Sequence, residues 1–239
     1  LIFKSARALW PRWYYFLFMT TAAILVAAGS SARMGFDKLT APLCGRTVLE
    51  WSLRAFQDCP AIDRAVLVCA PQRLAEFTEL AAAFPKFRDI VSGGAERSVS
   101  VLHGFQALAS DPPDFVAVHD AARPLVTPAL IQKVVTAAES HRAASAAQPV
   151  TDSLHRVDAL GGLAETIPRA HLFAMETPQA ARHDLLLAAL EAHHLGATDE
   201  VSALIANGIH PVPVLHEELN FKITFPRDLV LAEFFLQES

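Results

Sequence analysis

Cysteine is scarce in this chain of 239 residues: there are three, Cys44, Cys59 and Cys69. Their number is odd, their spacing is wide and no C-x-x-C occurs. A disulfide framework or a structural zinc site is therefore not expected, and a reducing, cytoplasmic compartment is the default. Basic residues are also too few for a protein that lives on nucleic acid. Lys and Arg total 20 against 25 Asp and Glu, a net charge of −5, whereas such binding needs a clustered basic face. Charged residues are sparse overall, at 19% against 52% hydrophobic, which excludes an intrinsically disordered chain and leaves ample material for a core. Several signatures are missing as well. There is no H-E-x-x-H, no G-x-x-x-x-G-K-[ST], no G-x-G-x-x-G, no fixed-period repeat and no low-complexity linker. Helical zinc sites, Walker A loops and dinucleotide fingerprints are thereby not indicated. The ten histidines are scattered without metal-ligand spacing.

The N-terminal stretch stands apart. Residues 1–18 hold both tyrosines and two of the three tryptophans, and Lys4, Arg7 and Arg12 precede an apolar run from Trp13 to Phe18. That order fits the template of a secretory leader. A second apolar run, Ala22–Ala28, leads at once into Gly29, Ser30 and Ser31 and reads as a buried strand feeding a phosphate loop, which cleavage near Ala28 would destroy. Thr20 and Thr21 interrupt the apolar sequence, so no membrane span is expected. Residues 1–18 are read as an extension outside the fold, and 19–239 as a single domain.

Within that domain, strand-like runs alternate with helical patterns. Ala22–Ala28, Arg64–Ala70, Phe115–His119, Ala143–Val150 and Pro211–Leu215 are short, continuous and apolar, as strands buried on both faces should be. Thr47 is placed to cap a helix carrying Leu49, Leu53 and Phe56, and Thr127-Pro128 opens another with a cap followed by Pro at the first helical position. Further helices are expected over Ser98–Leu108, Arg182–His194 and Pro226–Leu236. The alternation predicts a three-layer α/β fold with a mostly parallel sheet. One stretch breaks the rhythm. Thr151–Val157 alternates, Gly161-Gly162 can turn, and Ala164–Ile167 returns, which predicts a projecting β-arm over about residues 150–170. Two strands alone are marginal in water, so the arm calls for a partner, most simply a second copy of the chain.

Three loops carry the chemistry. AAGSSARMGFDK, residues 27–38, follows a strand with Gly29 and small residues, and places Arg33 and Lys38 nearby, an arrangement suited to an anion. GGAERSVSV, residues 93–101, offers close backbone approach at Gly93 and Gly94 and hydroxyls at Ser98 and Ser100, although Ser as a plain helix cap is the simpler alternative. VHDAARP, residues 118–124, puts Asp120 just past the carboxyl end of a strand, where open α/β sheets bind ligands, with Arg123 three residues on. The simpler alternative there is a turn in which Arg123 pairs with Asp120. Thr177-Pro178-Gln179 and Thr198-Asp199-Glu200 read as polar segments before helical patterns. Lys222 alternates with Phe221 and Ile223 in a short strand.

Taken in order, AAGSSARMG…K, GGAERSVSV, VHDAARP, PVTD, TPQ, TDE and FKIT resemble the 2-C-methyl-D-erythritol 4-phosphate cytidylyltransferases of the non-mevalonate isoprenoid pathway, from about Thr21 to the C-terminus. The ribitol 5-phosphate cytidylyltransferases are the nearest rival. The resemblance implies a Rossmann-like nucleotidyltransferase domain with a mixed sheet, and a homodimer joined through the β-arm. It implies CTP and methylerythritol phosphate as substrates and Mg²⁺ on the nucleotide phosphates, with no direct protein ligand beyond Asp120 as the nearest candidate. Arg33 and Lys38 match transition-state stabilisers, and Arg169 and Lys222 match residues that position the acceptor phosphate. Ala28, Gly29, Gly94, Ser100 and Asp120 match the CTP side; Arg123, Asp152, Ser153, Thr177 and Thr198 match the acceptor side. Two residues depart from the pattern. Asp37 stands where many members have Pro, and Ala95 where a polar residue is frequent. A phosphate nucleophile needs no general base, which agrees with the lack of a Ser-His-Asp or Cys-His set.

Overall fold

A computed structural model describes residues 19–29, 34–193 and 197–237. The extension 1–18 and Arg33 lie outside the described residues.

The chain begins its sheet with β1 (Thr21–Ala27) and makes a small hairpin, β2 (Pro42–Leu43) and β3 (Arg46–Thr47), before α1 (Val48–Asp58). There follow β4 (Arg64–Cys69), a 3-10 turn at Pro71–Arg73, α2 (Leu74–Ala81), β5 (Phe87–Ser92), α3 (Arg97–Leu108), β6 (Phe115–Asp120), α4 (Pro128–His141) and β7 (Ala143–Pro149). The arm is β8 (Leu154–Val157) and β9 (Leu163–Ile167), and the chain closes with β10 (Phe173–Arg182), α5 (His183–His193), α6 (Glu200–Ala206), β11 (Val212–Leu215) and α7 (Pro226–Gln237). Seven strands form one sheet in the order β11-β7-β10-β6-β1-β4-β5. All neighbours are parallel except β10, which runs antiparallel to both β6 and β7.

The period-two alternation of β1 divides the core. Ala22 and Ile24 pack with Val101, Phe105 and Leu108 of α3 and Leu186 and Leu190 of α5. Ala23, Leu25 and Ala27 face the other way, toward Leu49, Leu53 and Phe56 of α1, Phe77 of α2 and Leu130, Ile131 and Val134 of α4. Helices cover both faces, which is the three-layer arrangement expected of a buried parallel sheet. The expected caps are present. Thr47 accepts from the backbone of Glu50 while the Glu50 carboxylate accepts from Thr47 N–H, a reciprocal box. Thr127 accepts from Leu130 N–H with Pro128 following.

Some elements differ from expectation. Thr177-Pro178-Gln179 does not precede a helix: it lies inside β10, with a cis Thr177–Pro178 bond and Gln179 in register with Val118 and Ser145. Lys222 is not in a strand; from this segment Ile223 N–H reaches back to Ala122 C=O at 2.8 Å and fixes it beneath the site instead. Helix α3 is entered at Glu96 without a side-chain cap, so neither serine caps it.

Among the described residues, the strands of the arm pair only with each other. Asp158 holds its turn by accepting from Leu160 N–H and Gly162 N–H at 2.8 and 2.9 Å, with Gly161 at φ +84°. Val157, Leu160 and Leu163 are exposed along it, Leu160 almost fully at 96%.

Candidate active site

The carboxyl ends of β1 and β6, the start of α3 and the segment before α7 converge on one open cavity of about 340 Å³. Its walls include Ala28, Gly29, Lys38, Gly94, Arg97, Ser100, Asp120 and Lys222. A second cavity of about 220 Å³ adjoins it, lined among others by Arg123, Glu176, Thr177, Gln179, Thr198 and Asp199. Arg97, Asp120 and Lys222 belong to both walls.

The shared wall is an ion network. Lys222 Nζ lies 2.8 Å from Asp120 Oδ2, and Arg97 Nε donates to Asp120 Oδ1 at 2.9 Å. The other edge of the Arg97 guanidinium grips Glu200 through two bonds of 2.7 and 3.0 Å. Burial by itself would push the Asp120 carboxyl up, but Arg97 and Lys222 overcome it and hold the group well below the usual carboxylate range. Burial likewise opposes the Arg97 charge, and Glu200 and Asp120 outweigh it and raise its affinity for its proton. The simpler alternative, a side-chain pairing of Arg123 with Asp120, does not form. Arg123 donates to Asn220 C=O at 2.6 Å and lies 3.9 Å from Glu176.

Secondary structure fixes these groups. Asp120 ends β6, whose six residues are all buried, so its carboxylate emerges from a rigid strand. Its N–H donates to Thr177 Oγ1 at 3.1 Å, and that hydroxyl lies 3.0 Å from His119 Nδ1. Burial pushes the His119 pKa down to about 3, so the ring is neutral. Asp199 caps α6 in a box with Ser202 and also accepts from Gln179 Nε2 at 3.0 Å. The TPQ and TDE motifs are therefore two halves of one contact between β10 and α6, and they set Glu200 against Arg97. Gly93 and Gly94 are needed for close packing. A Cβ at Gly93 would lie 2.6 Å from Ala28 Cβ, and one at Gly94 2.3 Å from Val99 Cγ1. Ser100 Oγ accepts from Gly94 N–H at 3.1 Å and ties this loop to α3. Lys38 Nζ donates to Ile223 C=O at 2.8 Å.

Of the residues expected from sequence, Ala28, Gly29, Lys38, Gly94, Ser100, Asp120 and Lys222 all line the larger cavity, and Arg123, Thr177 and Thr198 the smaller. Arg169, Asp152 and Ser153 line neither cavity of their own chain. They sit at the base of the arm, where an Arg169 Nη1 donates to Thr151 C=O. Arg97 and Glu200 escaped sequence reading as site residues, although both fall inside quoted motifs. Their partnership spans more than a hundred positions, and the one local signal is a lone cation in the small-residue run GGAERS.

No group of three or more His, Cys, Asp or Glu suited to a metal occurs among the described residues. One carboxylate, Asp120, at the meeting of two cavities fits a Mg²⁺ ion that travels with a substrate's phosphates, since Mg²⁺ commonly takes one or two carboxylates and keeps its other positions for phosphate and water.

The sequence profile of the 2-C-methyl-D-erythritol 4-phosphate cytidylyltransferases matches residues 21–238. The chain belongs to that family. It is 42% identical over 217 residues to the 2-C-methyl-D-erythritol 4-phosphate cytidylyltransferase of Cereibacter sphaeroides strain KD131, covering 90% of this chain and 96% of that one. It is 39% identical over 223 residues to the enzyme of the same name from Aromatoleum aromaticum, covering 90% and 94%. Among solved structures it is similar to the 4-diphosphocytidyl-2C-methyl-D-erythritol synthase of Anaerococcus prevotii, with a TM-score of 0.80 at 27% identity over 92% of this chain and 96% of that one. The Francisella tularensis cytidylyltransferase gives a TM-score of 0.78 at 27% identity, covering 90% and 99%. The chain is a cytidylyltransferase, and its reaction is the CTP-dependent cytidylylation of 2-C-methyl-D-erythritol 4-phosphate in the non-mevalonate isoprenoid pathway.

Proposed function

We propose that CTP occupies the larger cavity and methylerythritol phosphate the smaller, so that the reaction takes place over the wall made by Arg97, Asp120 and Lys222. The single observation that carries this division is the sharing of those three residues by two adjoining cavities. The acceptor phosphate is a monoester whose second pKa is about 6, so it is largely dianionic at neutral pH and attacks without a base. One of its oxygens bonds to the α-phosphorus of CTP, the bond from that phosphorus to the β-phosphate bridging oxygen breaks, and pyrophosphate leaves.

The protein's task is to bring two polyanions together and hold them in line. Lys38 and Arg33 serve the charge that grows on the α-phosphoryl group. Lys222 exchanges Asp120 for the acceptor phosphate, and Arg123 and Thr177 face the same substrate. Ala28, Gly29, Gly94 and Ser100 form the nucleotide side. Asp120 would hold a Mg²⁺ ion, which would supply further neutralisation of phosphate charge. The exposed apolar arm supports a homodimer in which Arg169, Asp152 and Ser153 complete the neighbour's acceptor site. Three free cysteines suit a reducing cytoplasm, and among the described residues no helix is long and apolar enough to cross a membrane.

Separate substitutions test the division of the cavities. Lys38 lines only the larger one and Arg123 only the smaller. Lys38→Ala should cut kcat by on the order of 10²–10³-fold, the loss seen for a comparable electrostatic stabiliser. Arg123→Ala should raise KM for methylerythritol phosphate at least about tenfold while KM for CTP changes less than about twofold. Equal effects of Arg123→Ala on both KM values would reject the assignment.

A further inference from the structure

The residue next to Lys38 is Asp37, which sets a negative charge beside the cation on the cavity wall. Its two carboxylate oxygens do different work. Oδ1 accepts from Leu39 N–H at 3.0 Å, closing a tight turn around Lys38. Oδ2 pairs with Arg73 Nη1, from the 3-10 turn that follows β4. The Arg73 guanidinium is held on its other sides: Nη2 donates to Glu76 at 2.7 Å, and the plane lies 4.8 Å from the ring centroid of fully buried Phe77. Its Nε is buried without a hydrogen-bond partner, an unfavourable feature kept in a position that delivers the fork to Asp37.

We propose that Arg73 is a positioning residue for catalysis, clamping Asp37 so that the lysine loop is ordered and its carboxylate is neutralised before CTP binds. Other contacts around Lys38 include its Nζ donating to Ile223 C=O at 2.8 Å, Ala41 N–H donating to Lys38 C=O at 3.3 Å, and the buried side chain of Met34. Gly35 sits at φ +73°, and Lys38 is flanked by buried Leu39 on one side and Asp37 on the other. Leu39 anchors the loop downstream through Leu49 N–H, which donates to its carbonyl at 2.9 Å. Upstream of Lys38 the clamp is Asp37–Arg73. Without Arg73, the carboxylate offers itself to the Lys38 ammonium that the α-phosphoryl group needs.

This inference rests on Lys38 serving the CTP site, and a double-mutant cycle separates the two ideas. Arg73→Ala should lower kcat/KM for CTP about tenfold, the range of coupling found between members of one ion-pair network. KM for methylerythritol phosphate should move less than about twofold, because Arg73 lines neither cavity. Adding Asp37→Asn, which keeps an oxygen for Leu39 N–H and removes the charge, should bring Arg73→Ala back to within about twofold of the parent. In a Lys38→Ala background, Arg73→Ala should cost less than about a further twofold. Urea midpoints for each variant establish that it is folded, and Arg73→Gln replaces Arg73→Ala if the alanine protein does not fold, with the same rescue required. A loss that Asp37→Asn does not relieve, or that is equally large without Lys38, overturns the clamp while leaving the role of Lys38 standing. A normal kcat for Lys38→Ala overturns the reading of the site itself.

Discussion

Glu200 is the most deeply buried charge at the site, with its side chain 1% exposed, and Arg97 is its counterion. Removing it is the sharpest perturbation of the shared wall. In the parent, two cations, Arg97 and Lys222, face two carboxylates, Asp120 and Glu200. In Glu200→Ala both cations must share Asp120, and two charge-assisted bonds to Arg97 are lost. Breaking a buried ion pair by deleting one partner costs about 3–5 kcal/mol, because an uncompensated charge stays behind. That is a large part of the roughly 5–15 kcal/mol that holds a domain together. With a urea slope near the upper end of its usual range, about 3 kcal/mol per molar, the midpoint of unfolding should fall by about 1–1.7 M with the slope unchanged. Arg97→Met in the same background removes the stranded cation, so the double variant should unfold at higher urea than Glu200→Ala. Ligand-free protein followed by circular dichroism is the assay. A shift equivalent to less than about 0.5 kcal/mol, the scale of an ordinary surface change, would refute the claim that this pair anchors the wall.

Other consequences are equally direct. If Arg169 serves the neighbouring protomer, refolding Lys38→Ala and Arg169→Ala proteins together makes about half the dimers mixed, each with one intact site, and roughly a quarter of the parent activity should return; no recovery in a sample shown to contain mixed dimers would place Arg169 in its own chain's site. His119 is buried neutral with its pKa pushed down from 6.5 to about 3. Its contribution to stability is therefore full above the unfolded pKa and is lost as the pH falls toward 3, about 2 kcal/mol of it between pH 7 and pH 5. His119→Gln should show that much less loss over the same interval in urea titrations; an equal loss in both proteins would contradict the neutral assignment. Deleting residues 1–18 should leave kcat, KM and the urea midpoint unchanged, and a lowered midpoint would show that this segment packs on the domain.

The interior parallel strands were legible because burial on both faces forces an uninterrupted apolar run, as in Ala22–Ala27 and Phe115–Val118. Strand β10 was not legible. FAMETPQAAR has no apolar run and carries Pro178 at its centre, and it is a strand only because β6 and β7 supply partners on both sides. Edge strand β5, FRDIVS, is half-exposed along most of its length and gives no clear period. Residues that leave a strand end or a Gly-rich loop, such as Asp120 and Gly94, line the cavity as their positions in the sequence suggested. Position relative to the sheet decides that placement, and position is local information. Arg97 and Glu200 were missed as partners because an ion pair joining α3 to α6 leaves no periodic trace. Asp37 looked like an intrusion beside Lys38 until Arg73, 36 positions on, was found against it.

Under the proposed function, one active site joins CTP to a branched polyol phosphate across the Arg97–Asp120–Lys222 wall. The direct test is to supply the purified chain with CTP, Mg²⁺ and, in separate reactions, methylerythritol phosphate and ribitol 5-phosphate, measuring pyrophosphate release and the mass of the cytidine product. Methylerythritol phosphate should give one pyrophosphate per cytidylyl group transferred, with a kcat/KM well above that for ribitol 5-phosphate. Pyrophosphate release without a cytidylylated product, or an equal or higher kcat/KM with ribitol 5-phosphate, would contradict it.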